Sequence, residues 1–250
     1  MRLQNTHLFL FLFYFYQLSG YCQIEKPTIL PTDSVIEHCG FSLLYNEKYE
    51  QAKWVAYELT KKETEKIVKR SNKFKPDTKV STHTANNCDY KGSGYDRGHL
   101  APAGDMSWSQ MSMDESFYFS NISPQVPAFN RGIWEKLEEL VRAWAIENGA
   151  VYVVTGPIIN DKPTTIGAGK VAVPDYYFKV ILDYSLPDIK GIGFVLPNAA
   201  SGKHLQDFAL SIDEVEKITS IDFFPLIPDE QEKIIEKSLC IPCWNWSCKQ

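Results

Sequence analysis

Between Ile133 and Trp144 the residues Ile133, Leu137, Leu140, Val141 and Trp144 fall in one arc about 100° wide on a helical wheel. Such a stripe needs an apolar surface to lie on. The next segment supplies one: Val151-Tyr152-Val153-Val154-Thr155-Gly156-Pro157 follows a Gly149 stop and reads as a buried strand ended by a Gly-Pro turn. Residues 130–148 are therefore predicted as one helix packed on a sheet. Tyr176 to Leu182 and Gly191 to Leu196 add two more strands. Phe41, Leu43 and Tyr45 alternate with other residues, and 52–57 can return as the second arm of a hairpin. Ile212 to Ile218 forms a short helix, with Ser211 as N-cap and Glu214 closing a capping box. The Lys- and Glu-rich segment 61–75 reads as solvated surface, and 81–94 as loop. Strands and helices mix without strict βαβ alternation. The expected class is α+β, a central, mainly antiparallel sheet flanked by helices.

The N-terminus reads differently. Arg2 precedes an unbroken apolar run from Leu8 to Tyr16, far short of the about 20 residues that cross a membrane. Gly20 and Cys22 place small residues before Gln23, so residues 1–22 read as a signal peptide. The expectation is a secreted or periplasmic protein without stable membrane association. A lipid anchor on Cys22 is the weaker alternative, because bulky Tyr21 precedes it. Residues 23–37 read as a linker, 38–238 as one domain and 239–250 as a Cys-rich tail. With 44% apolar and 23% charged residues, composition suits one large globular domain. A net charge of −5 argues against a stoichiometric nucleic-acid binder, yet an enzyme that releases its product needs only a local basic patch. Disulfides are plausible in an exported chain. Cys39, Cys88, Cys240, Cys243 and Cys248 leave the pairing open, with a local clip in the tail favoured over zinc because no His is near.

The chemistry concentrates in Tyr95 to Met106, YDRGHLAPAGDM. Arg97 is always charged and can fork onto a phosphate. His99 has an ordinary pKa near about 6.5 and can accept a proton at neutral pH. A base beside a phosphate-binding cation suits phosphodiester hydrolysis; the same four residues also suit an ordinary turn. A second polar face begins at Asn130. On the wheel Glu138, Arg131 and Arg142 lie about 80°, 100° and 120° from it. An Asn oxygen with waters and a substrate phosphate can complete a Mg²⁺ octahedron, with Glu138 orienting a metal-bound water. The alternative is a solvated face with Glu138 and Arg142 as an i,i+4 pair.

The two motifs together resemble the DNA/RNA non-specific endonuclease family, from about Phe41 to about Pro228. The matching pieces are YDRGHLAPAGDM, SNISPQ at 120–125 and FNRGIWEKLEELVR at 129–142, followed in order by VYVVTGPII, VPDYYFKVI and SIDEVEKITSIDFFPLIPD. The resemblance implies a ββα-metal finger. In it His99 is the general base and Asn130 the direct ligand of Mg²⁺, with Mn²⁺ as a substitute. Glu138 supports the metal's water shell, Arg97 and Arg142 bind phosphate, and Asn121 assists. Asp96 is expected to fix the hairpin. The implied partner is DNA or RNA, cut without sequence preference to 5′-phosphorylated fragments; a homodimer is also allowed, though the sequence offers no interface signal. The chain departs from the family pattern at Gly104, at Ser220-Ile221-Asp222 and in the Cys-rich tail. Two rival readings are a noncatalytic nucleic-acid binder and a metal-dependent hydrolase of another phosphoester.

Overall fold

The computed structural model describes residues 23–247. The apolar run at 8–16, Cys22 and Cys248 lie outside them. The strands are β1 (Val35–Glu37), β2 (Ser42–Asn46), β3 (Gln51–Thr60), β4 (Asp96–His99), β5 (Ile122–Gln125), β6 (Ala150–Ile158), β7 (Thr165–Ile166), β8 (Val171–Ala172), β9 (Tyr176–Asp183), β10 (Lys190–Pro197) and β11 (Ala209–Leu210). The helices are α1 (Asn87–Tyr90), α2 (Gln110–Ser116), α3 (Glu135–Asn148), α4 (Ile212–Thr219) and α5 (Asp229–Lys237). Seven strands make one sheet in the order β1-β2-β3-β6-β9-β10-β11, with every pairing antiparallel. The α+β class with a central antiparallel sheet is what the mixed pattern predicted.

Alternation along the central strands sorts the core into two layers. Val55, Tyr57 and Leu59 of β3 and Tyr177 and Ile181 of β9 face α3, where they pack with Trp134, Leu137, Val141 and Trp144. Trp54 and Ala56 of β3 and Phe178, Val180 and Leu182 of β9 face the other way, against Ile212, Val215 and Ile235 of α4 and α5. Glycine permits the second contact. A Cβ on Gly191 would lie 2.5 Å from Ile212 Cδ1, and one on Gly193 would lie 2.4 Å from Val215 Cγ2.

Some elements differ from the sequence reading. Gly156-Pro157 does not end its strand, for β6 continues to Ile158. Pairing with β3 stops at Thr155, so Pro157, which has no N–H to donate, lies beyond that ladder while β9 still runs alongside. The expected linker contains β1, which pairs with β2. The expected loop at 81–94 contains α1, held by a capping box between Asn86 and Asp89. The Cys-rich tail is no loose end. Cys240 and Cys243 are disulfide-bonded, Trp244 and Trp246 pack on Trp144, and Trp144 Nε1 donates to the Asn245 carbonyl at 2.6 Å. The capping box of α4 forms as read, with Ser211 accepting from Glu214 N; the helix ends at Ser220, whose φ of 54° is left-handed.

Trp144 joins helix, sheet and tail in one cluster. Replacing it with alanine is expected to cost about 3–5 kcal/mol of stability, seen as a lowered midpoint in thermal denaturation.

Candidate active site

The site assembles where a hairpin meets the start of a helix. β4 pairs with β5, His99 opposite Ile122 and Arg97 opposite Pro124. Gly98 lies between them because the Gln125 side chain crosses over it: an added Cβ would sit 2.1 Å from Gln125 Cδ. A larger residue there requires the Gln125 side chain to move aside. Alternation then sends Arg97 outward and keeps its neighbours on the hairpin turned in.

The segment after the hairpin was predicted as one helix over 130–148, and the structure corrects this. α3 begins at Glu135 and is preceded by a wide π-type turn over Phe129–Trp134, in which Gly132 leaves helical geometry at φ −122°, ψ −108°. Asn130 therefore lies on a turn that cannot share α3's wheel. Arg131 accordingly leaves the polar face of Glu138 and Arg142 and points to Asp96, its side chain 70% exposed.

Asp96 holds this arrangement. Its two oxygens accept from Arg131 Nε and Nη2 at 2.8 and 2.6 Å, and Oδ2 also accepts from Asn130 Nδ2 at 2.9 Å. A carboxylate only accepts, so the amide must turn its nitrogen to Asp96 and leave Oδ1 as its free end. The three donors favour the charged carboxylate, and the Asp96 pKa is held below the usual range despite burial.

A cleft of about 510 Å³ is lined by Arg70, Arg97, His99, Asn130, Glu138 and Arg142. A second cleft of about 560 Å³ shares Arg97 and Asn130 with it and extends past Phe74 and Asn87. The two adjoin at Arg97 and Asn130. Arg97 stacks its guanidinium 4.1 Å from the Phe74 ring centre and donates to Asn87 Oδ1 at 2.5 Å. That fixes the head of an otherwise exposed side chain. His99 is 7% exposed, edge-on to Phe117 at 4.7 Å, and its Nε2 has no hydrogen-bond partner among the described residues. Burial first, and then the charges of Arg70 and Arg97, lower its pKa to about 3. The ring is neutral at physiological pH and has a lone pair to offer.

Beneath the cleft lies a charged layer. Arg142 Nη1 donates to Asp105 Oδ1 at 2.7 Å, and Tyr57 donates to Asp105 Oδ2 at 2.8 Å. Arg142 thus pairs with Asp105 and not with Glu138 four residues earlier. Gly104, where the family pattern has Ala, gives it room: a Cβ there would lie 3.0 Å from Nη1. Lys179 is fully buried, its Nζ 4.8 Å above the Trp134 ring and without a hydrogen-bond partner among the described residues. Burial pushes the Glu138 carboxyl up and the Lys179 ammonium down, while their mutual attraction opposes both shifts. Arg142 also favours the charged form of Glu138.

Five of the six site residues read from the sequence, His99, Arg97, Asn130, Glu138 and Arg142, line one cleft. Asn121 does not. It is fully buried, its Oδ1 accepts from Ala101 N, and its Nδ2 donates to the Ala101 and Ser116 carbonyls, all at 2.9 Å. With its amide saturated it clamps the chain just after His99, so its assistance is to position. Arg70 and Lys179 were missed. Arg70 sits in a Lys- and Glu-rich stretch that looks like plain surface. Lys179 carried a signal, a lone cation inside the apolar strand YYFKVIL.

The donor set suits one hard divalent cation. Asn130 offers a neutral oxygen, and Glu138 is a half-buried carboxylate whose charge a cation would stabilise; no thiol or imidazole pair competes for a softer metal.

Comparison with known proteins agrees with this geometry. The model of the DNA/RNA non-specific endonuclease family matches residues 24–230. The mitochondrial nuclease EXOG of Danio rerio is 37% identical over 209 residues, covering 76% of this chain and 60% of that protein. Mitochondrial endonuclease G of Homo sapiens is 36% identical, covering 75% and 68%, and nuclease C1 of Cunninghamella echinulata is 37% identical, covering 76% and 82%. A crystal structure of an EndoG/EndoGI complex superposes with a TM-score of 0.75 at 35% identity, covering 82% of this chain and 90% of that one. The chain belongs to the DNA/RNA non-specific endonuclease family. It spans less than two thirds of the length of the fish EXOG it resembles. The secreted or periplasmic location expected from the N-terminus is overturned by these relatives, since the EXOG and endonuclease G proteins are mitochondrial. Among the described residues no helix is long and apolar enough to cross a membrane.

The depressed His99 pKa has a consequence for stability. The unfolded chain takes up a proton near about pH 6.5, whereas the folded ring does not until about pH 3. Stability is therefore lost as pH falls below 6.5, by up to about 1.4 kcal/mol per pH unit from this residue. His99→Asn is expected to show a flatter fall in thermal midpoint between pH 6.5 and 4 than the wild type.

Proposed function

We propose that this protein is a sequence-nonspecific endonuclease that hydrolyses phosphodiester bonds of DNA or RNA and leaves 5′-phosphorylated fragments. One observation carries the reading: a neutral, buried imidazole, a free amide oxygen and the guanidinium groups of Arg70, Arg97 and Arg142 line one open cleft. Pure binding needs no buried base. A phosphatase for small esters would need no groove that continues past Phe74 and Asn87.

In this reading the arginines grip the phosphate, Arg97 already held in place by Phe74 and Asn87. The phosphate's negative charge offsets Arg70 and Arg97, two of the three influences that depress the His99 pKa, and so raises the basicity of the ring as substrate arrives. His99 then accepts a proton from the attacking water. Asn130 would be the direct ligand of the cation, Mg²⁺ with Mn²⁺ as a substitute, and Glu138 would support its water shell. When bound, the cation supplies charge neutralisation at the phosphate and leaving oxygen. Asp96 keeps Asn130 turned toward the cleft, and Lys179 and Arg142 favour the charged form of Glu138 against its burial, a balance that a bound cation would tip further toward the carboxylate. Contacts run to the backbone of the nucleic acid, which gives little sequence preference and a strong dependence on salt.

Cleavage of supercoiled plasmid and of RNA, with Mg²⁺ or with EDTA, tests the reading. The wild type should cut both closed circles and RNA only with metal. His99→Ala should lower the rate about 10²–10⁴-fold at unchanged fold, and full activity in that variant would refute the assignment. Asp96→Ala should lower the rate about 10–100-fold and raise the Mg²⁺ concentration needed for half-maximal rate.

A further inference from the structure

On the far side of the sheet a second group of acidic residues comes together. Asp213 and Glu216 stand on α4 and Glu236 on α5, and one carboxylate oxygen from each lies within 4.8 Å of the others. Glu236 is 7% exposed, and its Oε1 has no hydrogen-bond partner among the described residues. Glu232 Oε1, one turn earlier on α5, is likewise buried and unpartnered. Glu216 is oriented by the Phe223 backbone N–H, which donates to its Oε1 at 2.8 Å. The charges acting on Glu236 are Glu216, Glu232, Asp222 and Asp213, all acidic. Lys233 offsets charge on Glu232, and β10 faces this pair of helices with Gly191 and Gly193.

A buried carboxylate with no donor is costly, and one among four other carboxylates more so. We propose that Asp213, Glu216 and Glu236 form a second cation site, for a hard divalent ion of the Ca²⁺ class, that clamps α5 to α4 on the sheet face away from the cleft. The donors are all carboxylate oxygens, the hard set that Ca²⁺ takes at about 2.3–2.6 Å, so two oxygens on one ion can stand up to about 5 Å apart. The present spacing meets that span without moving either helix. Burial and the acidic neighbours push Glu236 up to about 8 and Glu216 up to about 7, so protons stand in for the cation in its absence. Because Ile212 and Ile235 seat these helices over Gly191, the clamp would hold the second core layer closed.

The test is thermal unfolding of the full chain at pH 8, in EDTA and in millimolar Ca²⁺, with calorimetric titration of Ca²⁺. Ca²⁺ should raise the wild-type midpoint by about 5 °C at saturation. Glu236→Gln and Glu216→Gln should be at least as stable as wild type in EDTA, because each removes repulsion, should lose the Ca²⁺ shift and should bind one ion fewer. Asn130→Ala should keep the shift. Retention of the shift in both Gln variants, its loss in Asn130→Ala, or its absence in the wild type would each overturn the site; in the last case protons alone satisfy the cluster.

Discussion

Asp96 is the joint on which the site depends. His99 stands on a hairpin and Asn130 on a separate turn, and neither element alone fixes their separation. One carboxylate on β4 accepts from both Asn130 and Arg131, so the hairpin and the entrance to α3 are tied by three charge-assisted hydrogen bonds. The same bonds decide which end of the Asn130 amide is free. The exposed Arg131, which also lines the cleft, keeps Asp96 charged and in place.

A second constraint lies under the cleft. Glu138, Arg142, Asp105 and Lys179 put four ionisable groups at the top of an apolar layer built by Trp134, Leu137, Val141 and Tyr57. Such burial rarely adds net stability. It is tolerable here because the charges are mixed in sign and because Tyr57 and Asp105 satisfy one another by a short hydrogen bond. What it supplies is direction: side chains at the cleft floor stand in a low-dielectric setting where a phosphate or a cation feels them strongly. Lys179 reaches that floor only because β9 alternates, placing it on the α3 face with Tyr177 and Ile181.

The sheet separates two tasks. Its α3 face carries the cleft, and the Trp144 cluster ties the C-terminal segment to the same layer. Its opposite face is closed by α4 and α5 over Gly191 and Gly193, where the close approach of helices to strand leaves no room for side chains. The acidic groups Asp213, Glu216 and Glu236 stand on these two helices, on the face of the sheet opposite α3.

Much of this was legible in the chain. Period-two and period-3.6 patterns marked the central strands, α3 and α4, because burial on one face imposes those periods. The DRGH run with Asn130 and Glu138 pointed to residues that line one cleft through the resemblance that the two motifs carry together, since each alone also suited an ordinary turn or a solvated helix face. Other features could not be read. The break at Gly132 displaced Asn130 and Arg131 from the helical wheel, since a wheel assumes regular geometry that a π-type turn abandons. Pro157 looked like a strand end, yet only the stopping point of β3 shows that its missing N–H costs nothing there. Arg70 looked like surface, and Asn121, read as assisting at the site, lies buried with its amide in three hydrogen bonds to Ala101 and Ser116. Local pattern thus determined which elements form and which side chains could do chemistry. Which of them meet, and which hydrogen bonds leave an atom free to act, depends on contacts between residues far apart in the chain, and only the tertiary structure decided them.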